Sequence, residues 1–305
     1  MAEAHVVALR ALGVEPVVVG RGRERAEELA ERIGVEASWG GLDAFSAPMP
    51  DVAVIAVGPA ELAGVASSLL ERGCRAVLVE KPGALRSEDL ERLHGRSREL
   101  GADVFVAYNR RFFPSVAAAR QAIEEDGGPL SLHFEFTEIE ERVTAGRGTA
   151  DQVLARWGLV NSSHVVDLAF HLAGSPRQWV QQRRGALPWH PAGAVFSGSG
   201  ETERGALFSY LATWSGAGRW SVEVTTAARK LILRPLEALS VQRKGSFEVE
   251  PVELDAEPSG LKPGLYGQLA AFLAAAAGEE PDPRLCSLEE ALGILRAAQA
   301  IFGYS

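Results

Sequence analysis

Residues 1–108 alternate between short apolar runs and amphipathic stretches long enough for helices. The pattern predicts strands over 15–19, 52–56, 76–79 and 103–107, and helices over 3–12, 23–33, 60–72 and 87–101. Short apolar strands that alternate with helices indicate a parallel sheet with both faces covered. We therefore expect an α/β domain of the Rossmann type over residues 1–108.

From residue 109 to residue 305 the pattern changes to an alternation of polar and apolar positions, which is typical of half-exposed antiparallel strands. Strands are predicted over 130–138 and near 178–184, 193–199, 205–214, 219–227, 230–234 and 239–244, and helices over 114–125, 161–172, 263–277 and 287–301. This order indicates an α+β domain with a large antiparallel sheet. The final two helices are also able to pack back on the first domain.

The composition limits the kinds of binding partner that we expect for this chain. The chain has 305 residues and a net charge of −9, which argues against binding to nucleic acid or to an anionic membrane and leaves a small molecule as the expected ligand. Two cysteines are too few for a disulfide framework or a zinc site, and we expect no metal. No apolar run approaches about 18 residues, and the first residues lack a signal peptide, so we expect a cytoplasmic protein.

The strand at 76–79 ends in Glu80-Lys81-Pro82. Ligands of open α/β sheets bind outside the carboxyl ends of the strands, so we expect Lys81 to lie at the ligand-binding edge of the sheet. A lysine there can hold or exchange a proton with a substrate hydroxyl. The alternative is an ordinary solvated lysine at a strand end.

The nucleotide-binding signature is incomplete. A Rossmann domain opens with a strand, a Gly-x-Gly-x-x-Gly/Ala turn and a helix, whereas this chain opens in a helix. Gly20-Arg21-Gly22 follows the strand at 15–19, which we interpret as the second strand of the domain. Arg21 and Arg23 then lie where such folds contact the ribose, and they favour NADP over NAD; a basic helix start exposed to water is the alternative.

Three motifs carry a family resemblance: Glu80-Lys81-Pro82, AYNRRFFP at 107–114 and NSSHVVDLAFHLAG at 161–174. Together with the closing pattern from YGQLAAFLAAAAG onward, they resemble the glucose–fructose oxidoreductase, inositol dehydrogenase and MocA (Gfo/Idh/MocA) oxidoreductases essentially end to end. The resemblance implies a Rossmann domain that binds NAD(P) and a second domain that binds a sugar, cyclitol or related molecule. It also implies hydride transfer between the nicotinamide and a secondary hydroxyl or ketone.

The resemblance also implies roles for individual residues. Lys81 and His164 are the implied catalytic residues. The implied substrate-binding residues are Tyr108, Arg110, Asn161 and Asp167. The implied cofactor-binding residues are Arg21, Arg23, Val57, Gly58, Pro59, Glu80 and Asn109. For the helix that carries Asn161, His164 and Asp167, the alternative is a polar face that simply meets water.

The chain departs from the family pattern at three places. Val160 stands near where relatives often carry an aspartate before the active histidine, and Leu62 stands where they often have a histidine. The third departure is the missing first strand and glycine turn, for which Met1-Ala2-Glu3-Ala4-His5 matches only the second half. We therefore expect about ten residues upstream of Met1, and weakened or lost cofactor binding in the chain as given.

Two alternative functions follow from that incomplete signature. One is a cofactor-free descendant that uses Lys81 and His164 for proton transfer, as in epimerisation, elimination or cyclisation. The other is a non-catalytic paralogue that binds a partner. Family members often assemble through the second-domain sheet, so the resemblance implies a homodimer or homotetramer.

Overall fold

The computed structural model describes residues 1–145 and 150–304. Strands in these ranges are β1 (Val18–Gly20), β2 (Ala37–Trp39), β3 (Val52–Ile55), β4 (Ala76–Glu80), β5 (Asp103–Ala107), β6 (Ser131–Phe136), β7 (Pro176–Arg184), β8 (Val195–Thr202), β9 (Leu207–Thr213), β10 (Trp220–Thr225), β11 (Arg229–Leu233), β12 (Ser240–Arg243), β13 (Val249–Pro251) and β14 (Cys286–Ser287). Helices are α1 (Ala2–Ala11), α2 (Arg23–Ile33), α3 (Gly41–Ala44), α4 (Leu62–Glu71), α5 (Ser87–Leu100), α6 (Pro114–Glu125), α7 (Glu140–Thr144), α8 (Asp151–Leu154), α9 (Ser163–Ala173), α10 (Leu265–Ala276) and α11 (Leu288–Phe302). Within the described ranges, no helix combines the length and the apolar character needed to cross a bilayer.

The chain divides into two compact units, and the first is discontinuous. Unit 1 comprises Met1–Asn109 and Glu257–Glu289, and unit 2 comprises Arg110–Ala256 and Glu290–Ser305. Residues 257–289, which the sequence assigned to the second domain, therefore belong to the first unit. The physical reason is that α10 packs against α1 and β5, and β14 pairs with β5.

Unit 1 contains a parallel sheet in the order β14-β5-β4-β3, in which only β14 runs antiparallel to its neighbour. The central strand β4 is buried at all five positions, as its unbroken apolar run predicts. Helices α4 and α5 pack against these strands. The predicted Rossmann-like sheet is confirmed.

The strands β1 and β2 form a separate parallel pair. In a doubly wound sheet of this type the first strand lies between the second strand and the fourth. Here β1 and β3 stand in those two places, and neither has a second neighbour among residues 1–145 and 150–304. The split of the sheet thus falls where the sequence lacks a first strand and a glycine turn.

Unit 2 contains an eight-stranded sheet in the order β13-β12-β11-β10-β6-β9-β8-β7. All neighbours are antiparallel except β6 and β9, which are parallel. The predicted large antiparallel sheet is thus confirmed. Its one parallel pair among the described residues arises because β6 lies between β10 and β9. Along β6, Leu132, Phe134 and Phe136 are buried, and α9 packs on β6 and β10. The alternation read from the sequence thus marks the face that α9 covers.

Candidate active site

In unit 1, candidate functional residues lie at the carboxyl end of β4. Lys81 is half-buried there and is joined to Pro82 by a cis peptide bond. The preceding residue, Glu80, is 8% exposed, and its carboxylate lies 2.8 Å from Nε2 of His5 in α1. Burial disfavours the ionised carboxylate, but the hydrogen bond and charge of His5 outweigh it and hold the pKa of Glu80 below its usual range.

The geometry gives Glu80 a different place from the one implied by the sequence. Its carboxylate is turned into unit 1 and joins α1 to β4, so we assign it to the support of Lys81 and not to cofactor contact. His5 is the residue that the sequence comparison matched to the histidine at the end of the glycine-turn motif. Its partner is the residue before Lys81, which fixes the backbone at the strand end.

The carboxyl end of β5 is also tied inward. Asn109 is 5% exposed, and its side-chain amide donates to the Pro263 carbonyl at 2.8 Å. Tyr108 is 1% exposed. The returning segment before α10 therefore fixes the loop after β5, and the side-chain N–H of Asn109 is already used within unit 1.

The segment between β1 and α2 presents its arginines to solvent. Arg21 forms an ion pair with Glu61 at the start of α4. Arg23 pairs with Glu27 at 2.8 Å, and its guanidinium lies 4.8 Å from the centre of the Trp39 ring. Both cations therefore have partners within unit 1.

Two features of unit 1 are compatible with a bound dinucleotide. The approach of β1 to α2 requires glycine, because a Cβ at Gly20 would lie 2.9 Å from the Cβ of Ala26. The loop Val57-Gly58-Pro59 after β3 is accessible to solvent, and Val57 is 37% exposed. The glycine turn that holds a pyrophosphate is not found in residues 1–145 and 150–304, because α1 begins at Ala2 without glycines. The described residues of unit 1 therefore contain part of the pattern of a dinucleotide site, namely the close approach of β1 to α2 and the loop after β3.

In unit 2, candidate functional residues lie around a short π-helix, Gly158–Ser162, that leads into α9. Single π-helical turns are frequent at functional sites. Asn161 donates from its amide to both carboxylate oxygens of Glu138, at 3.0 and 3.1 Å, and Ser162 donates from Oγ at 2.6 Å. Burial raises the pKa of Glu138, and these hydrogen bonds oppose the shift.

His164, on the first turn of α9, is 6% exposed. The centre of its ring lies 6.4 Å from that of Trp220, the first residue of β10. On the same indole, the guanidinium of Arg110 lies 4.9 Å from the ring centre. A histidine, an arginine and a tryptophan are thus brought together at one place in unit 2, and two of the three are residues that the sequence singled out.

Asp167 is not part of that surface. It is fully buried and accepts from Arg111, which is 2% exposed, through Nη2 at 2.7 Å and Nε at 3.0 Å. Burial raises the pKa of Asp167 to about 6, against the opposing charge of Arg111. The assignment of Asp167 to substrate contact is therefore corrected: its oxygens are shielded from ligand and hold α9 to the start of unit 2.

A cavity of about 290 Å³ opens beside this cluster. Its lining includes Asn161 and Trp220 together with residues the sequence did not single out, namely Glu138, Arg142, Trp157 and Arg219. The end of β6, the π-helix and the turn before β10 bring them together. Their spacing along the chain carries no signal from which the sequence could have identified them.

A series of hydrogen bonds links the π-helix through Tyr304 to His190. The N–H of Gly158 donates to the hydroxyl oxygen of Tyr304 at 3.0 Å, and that hydroxyl lies 2.6 Å from Nε2 of His190. Burial lowers the pKa of His190, and its Nδ1 lies 2.7 Å from the Gly193 carbonyl. A neutral His190 with its proton on Nδ1 therefore accepts from Tyr304.

Comparison with known proteins identifies relatives of the first unit. Residues 10–108 match the profile of an oxidoreductase family with an NAD-binding Rossmann fold, named GFO_IDH_MocA. Over these residues the chain is similar to the Gfo/Idh/MocA oxidoreductases. Among curated relatives, a levoglucosan dehydrogenase of Pseudarthrobacter phenanthrenivorans is 27% identical over 180 residues, which is 54% of this chain. The match spans 44% of that relative's length.

Solved structures share the fold over nearly the whole chain. A levoglucosan dehydrogenase in complex with NADH and levoglucosan superposes with a TM-score of 0.84 at 21% identity, covering 99% of this chain and 93% of the other. A UDP-N-acetylglucosamine 3-dehydrogenase from Acidithiobacillus ferrooxidans gives 0.78 at 19% identity, with 98% and 92% covered. An oxidoreductase from Agrobacterium radiobacter in complex with NAD+, L-tartaric acid and magnesium gives 0.83 at 14%, with 99% and 92% covered.

Proposed function

We propose that this protein is an NAD-dependent oxidoreductase that transfers hydride between nicotinamide and a secondary hydroxyl or ketone of a sugar-like molecule. The observation that carries the proposal is the placement of His164 beside Trp220 and close to the cavity that Asn161 lines, in a chain similar to this family over residues 10–108. The cavity supplies room for a small substrate, and the histidine supplies a group able to move its hydroxyl proton.

In the proposed reaction the protein manages the proton of the substrate hydroxyl. NAD, when bound, supplies the acceptor for the hydride that leaves the carbon. Lys81 donates hydrogen bonds from its ammonium to the reacting oxygen and stabilises negative charge that develops there. His164 takes the hydroxyl proton on a ring nitrogen and returns it in the reverse direction. Asn161 orients a neighbouring hydroxyl while Glu138 fixes the amide.

We propose NAD as the nucleotide. The sequence favoured NADP because Arg21 and Arg23 could accept a 2′-phosphate, but Arg21 is paired with Glu61 and Arg23 with Glu27. The levoglucosan dehydrogenase of similar fold was solved with NADH. A carboxylate beside the ribose position disfavours a 2′-phosphate, so the preference for NADP is not supported.

We also propose assembly of two or four copies through the open face of the unit 2 sheet. Three large apolar side chains stand on its strands with much of their surface exposed: Val180 (71%), Leu207 (64%) and Leu211 (47%). Exposed apolar surface of this kind is typical of interaction sites. Analytical ultracentrifugation of the wild type beside a Leu207→Lys variant tests this directly, since the charge should shift the protein toward the monomer.

The function is tested by nucleotide binding and turnover. NADH and NADPH are titrated by nucleotide fluorescence, and NAD+ reduction is followed at 340 nm over a panel of monosaccharides and polyols. We expect NADH to bind more tightly than NADPH and at least one polyol to be oxidised. The Lys81→Met and His164→Asn variants should lower kcat by about 10²- to 10⁴-fold.

Matched controls are Lys244→Met and His94→Asn, which change the same residue types away from the site and should leave the rate unchanged. If neither nucleotide binds at millimolar concentration, the redox proposal is wrong, and proton-transfer chemistry without a cofactor takes its place. If both active-site variants retain the wild-type rate, the assignment of Lys81 and His164 is wrong.

A further inference from the structure

The cavity of unit 2 is small, and two tryptophans form part of its lining. Its volume of about 290 Å³ is just below the range of roughly 300–1,000 Å³ that small-molecule sites span. A monosaccharide suits this volume. Trp157 and Trp220 line the cavity with two indoles, flat apolar surfaces that each carry one N–H donor. Such surfaces suit a pyranose ring, which has apolar faces and a polar edge.

The charged side chains that line the cavity are two arginines and one glutamate, so the lining has a charge opposite in sign to that of the whole chain. The protein carries a net charge of −9, yet two arginines, Arg142 and Arg219, line this cavity and are exposed to solvent. Within residues 1–145 and 150–304 no ion pair joins either guanidinium to a carboxylate. Arg110, stacked on Trp220, adds a third cation nearby.

The single carboxylate that lines the cavity, Glu138, does not offset these cations at the rim. It is 6% exposed, and its two oxygens already accept from Ser162 and Asn161. The lining thus combines a buried acid whose oxygens are hydrogen-bonded with two arginines that are exposed to solvent. Guanidinium groups bind carboxylate and phosphate through paired N–H donors.

We infer that this cavity binds a monosaccharide that carries an anionic group, with Arg142 and Arg219 binding the anion and Trp157 and Trp220 flanking the ring. The inference deepens the proposed function and rests on it only in identifying this cavity as the substrate site. Carboxylate and phosphate share the required chemistry, so a sugar acid and a sugar phosphate are separate arms of the test.

Binding is measured without turnover, by isothermal titration calorimetry and by quenching of tryptophan fluorescence. The probes are D-glucuronate, D-glucose 6-phosphate, D-glucose and D-glucuronamide, the last being a neutral analogue of nearly the same shape as the acid. We expect one of the two anionic sugars to bind about 10-fold or more tightly than either neutral sugar. Since both arginines are exposed, this preference should decrease as the salt concentration rises.

Single substitutions then identify the groups. Arg142→Gln and Arg219→Gln should each weaken binding of the preferred anionic sugar by about 3- to 10-fold and leave D-glucuronamide unaffected. Arg243→Gln, an exposed arginine of β12 outside the cavity, is the matched control and should change neither affinity. The Trp157→Phe and Trp220→Phe variants should remove most of the fluorescence response.

The outcomes separate this inference from the proposed function. Turnover of neutral sugars with no preference for an anion overturns the inference and leaves the oxidoreductase proposal standing. Preferential binding of an anionic sugar without any NAD-dependent turnover supports the inference and overturns the oxidoreductase proposal. A preference that survives in the Arg142→Gln/Arg219→Gln double variant also overturns the inference, because other groups then bind the anion.

Discussion

The Arg111→Met substitution isolates what a buried ion pair contributes to unit 2. Methionine keeps most of the aliphatic stem of Arg111, so the cavity left behind is small and the main loss is the guanidinium. Asp167, fully buried, then remains without the fork of N–H groups that lies 2.7–3.2 Å from its oxygens. Removing one partner of a buried pair typically destabilises a protein by about 3–5 kcal/mol.

Arg111 also pairs with Glu290, and the loss of this second ion pair adds little to the expected destabilisation. Glu290 lies 3.3 Å from Nη1, and its side chain is 46% exposed, so the pair contributes less than about 1 kcal/mol. We therefore expect Arg111→Met to lower the free energy of unfolding by about 3 kcal/mol at pH 8. With a urea m-value of about 3 kcal/mol per molar, the midpoint should fall by about 1 M.

The loss should depend on pH in a definite direction. Burial raises the pKa of Asp167 to about 6, above its value of 3.8 in an unfolded chain. The stability that the protonated acid contributes is complete below about pH 4 and is lost as pH rises through about 6. At pH 5 the folded carboxyl is largely neutral and needs no cation, so the effect of Arg111→Met should shrink to about 1 kcal/mol. Arg110 and Glu290 also face this group, and both are unchanged in the variant.

Tryptophan fluorescence reports this unfolding well, because five of the six tryptophans lie in unit 2. The control is the Arg111→Met/Asp167→Leu double variant, which should recover most of the lost stability because the unpaired acid is gone. A destabilisation that is equal at pH 5 and pH 8 would refute the reasoning. So would a double variant no more stable than the single one.

Two further changes test other parts of unit 2. Glu138→Gln removes an acid whose pKa is raised by burial. The stability that this acid contributes is lost as pH rises above about 4.5. Thermal melts should therefore show the melting temperature of the variant rising relative to that of the wild type between pH 4 and pH 7. Gly158→Ala would place a Cβ 2.4–2.6 Å from ring atoms of Phe302, so we expect chemical denaturation to show a loss of about 1–3 kcal/mol.

Each change has a matched control. Glu141→Gln alters an exposed acid of α7 and should give the same melting difference at every pH, so a Glu138→Gln difference equally independent of pH would contradict the assigned shift. Gly293→Ala lies in α11 of the same protein, has open space around it, and should be neutral or slightly stabilising. If Gly158→Ala behaves like Gly293→Ala, the close packing of Phe302 against the π-helix is wrong.

The sequence predicted the fold well because hydrophobic periodicity carries most of that information. The helix over 114–125 corresponds to Pro114–Glu125, and the strand over 103–107 to Asp103–Ala107. The short elements β2 and α3 were missed. Their three or four residues are too few to show a period, and none of them is fully buried.

The site was less accessible to prediction, because a motif identifies a residue but not its partner. Lys81 and His164 could be named from the sequence, yet Asp167, one turn after His164, turns inward to Arg111 and not toward a ligand. Trp220 and Glu138 are isolated in the sequence and meet only because β10 lies beside β6. Strand order depends on contacts across some 80 positions of the chain, which no local pattern shows.

The discontinuity of unit 1 has a consequence for synthesis on the ribosome. Residues 1–109 emerge first, but α10 and β14, which pack on α1 and β5, lie in the segment that ends at Glu289. At about 5–20 residues per second, roughly 10–35 seconds pass before that segment is made. During that interval unit 2 is being synthesised, and α10 and β14 are not yet present to pack against α1 and β5. The first third of the chain therefore completes its packing only after residues 257–289 have been synthesised.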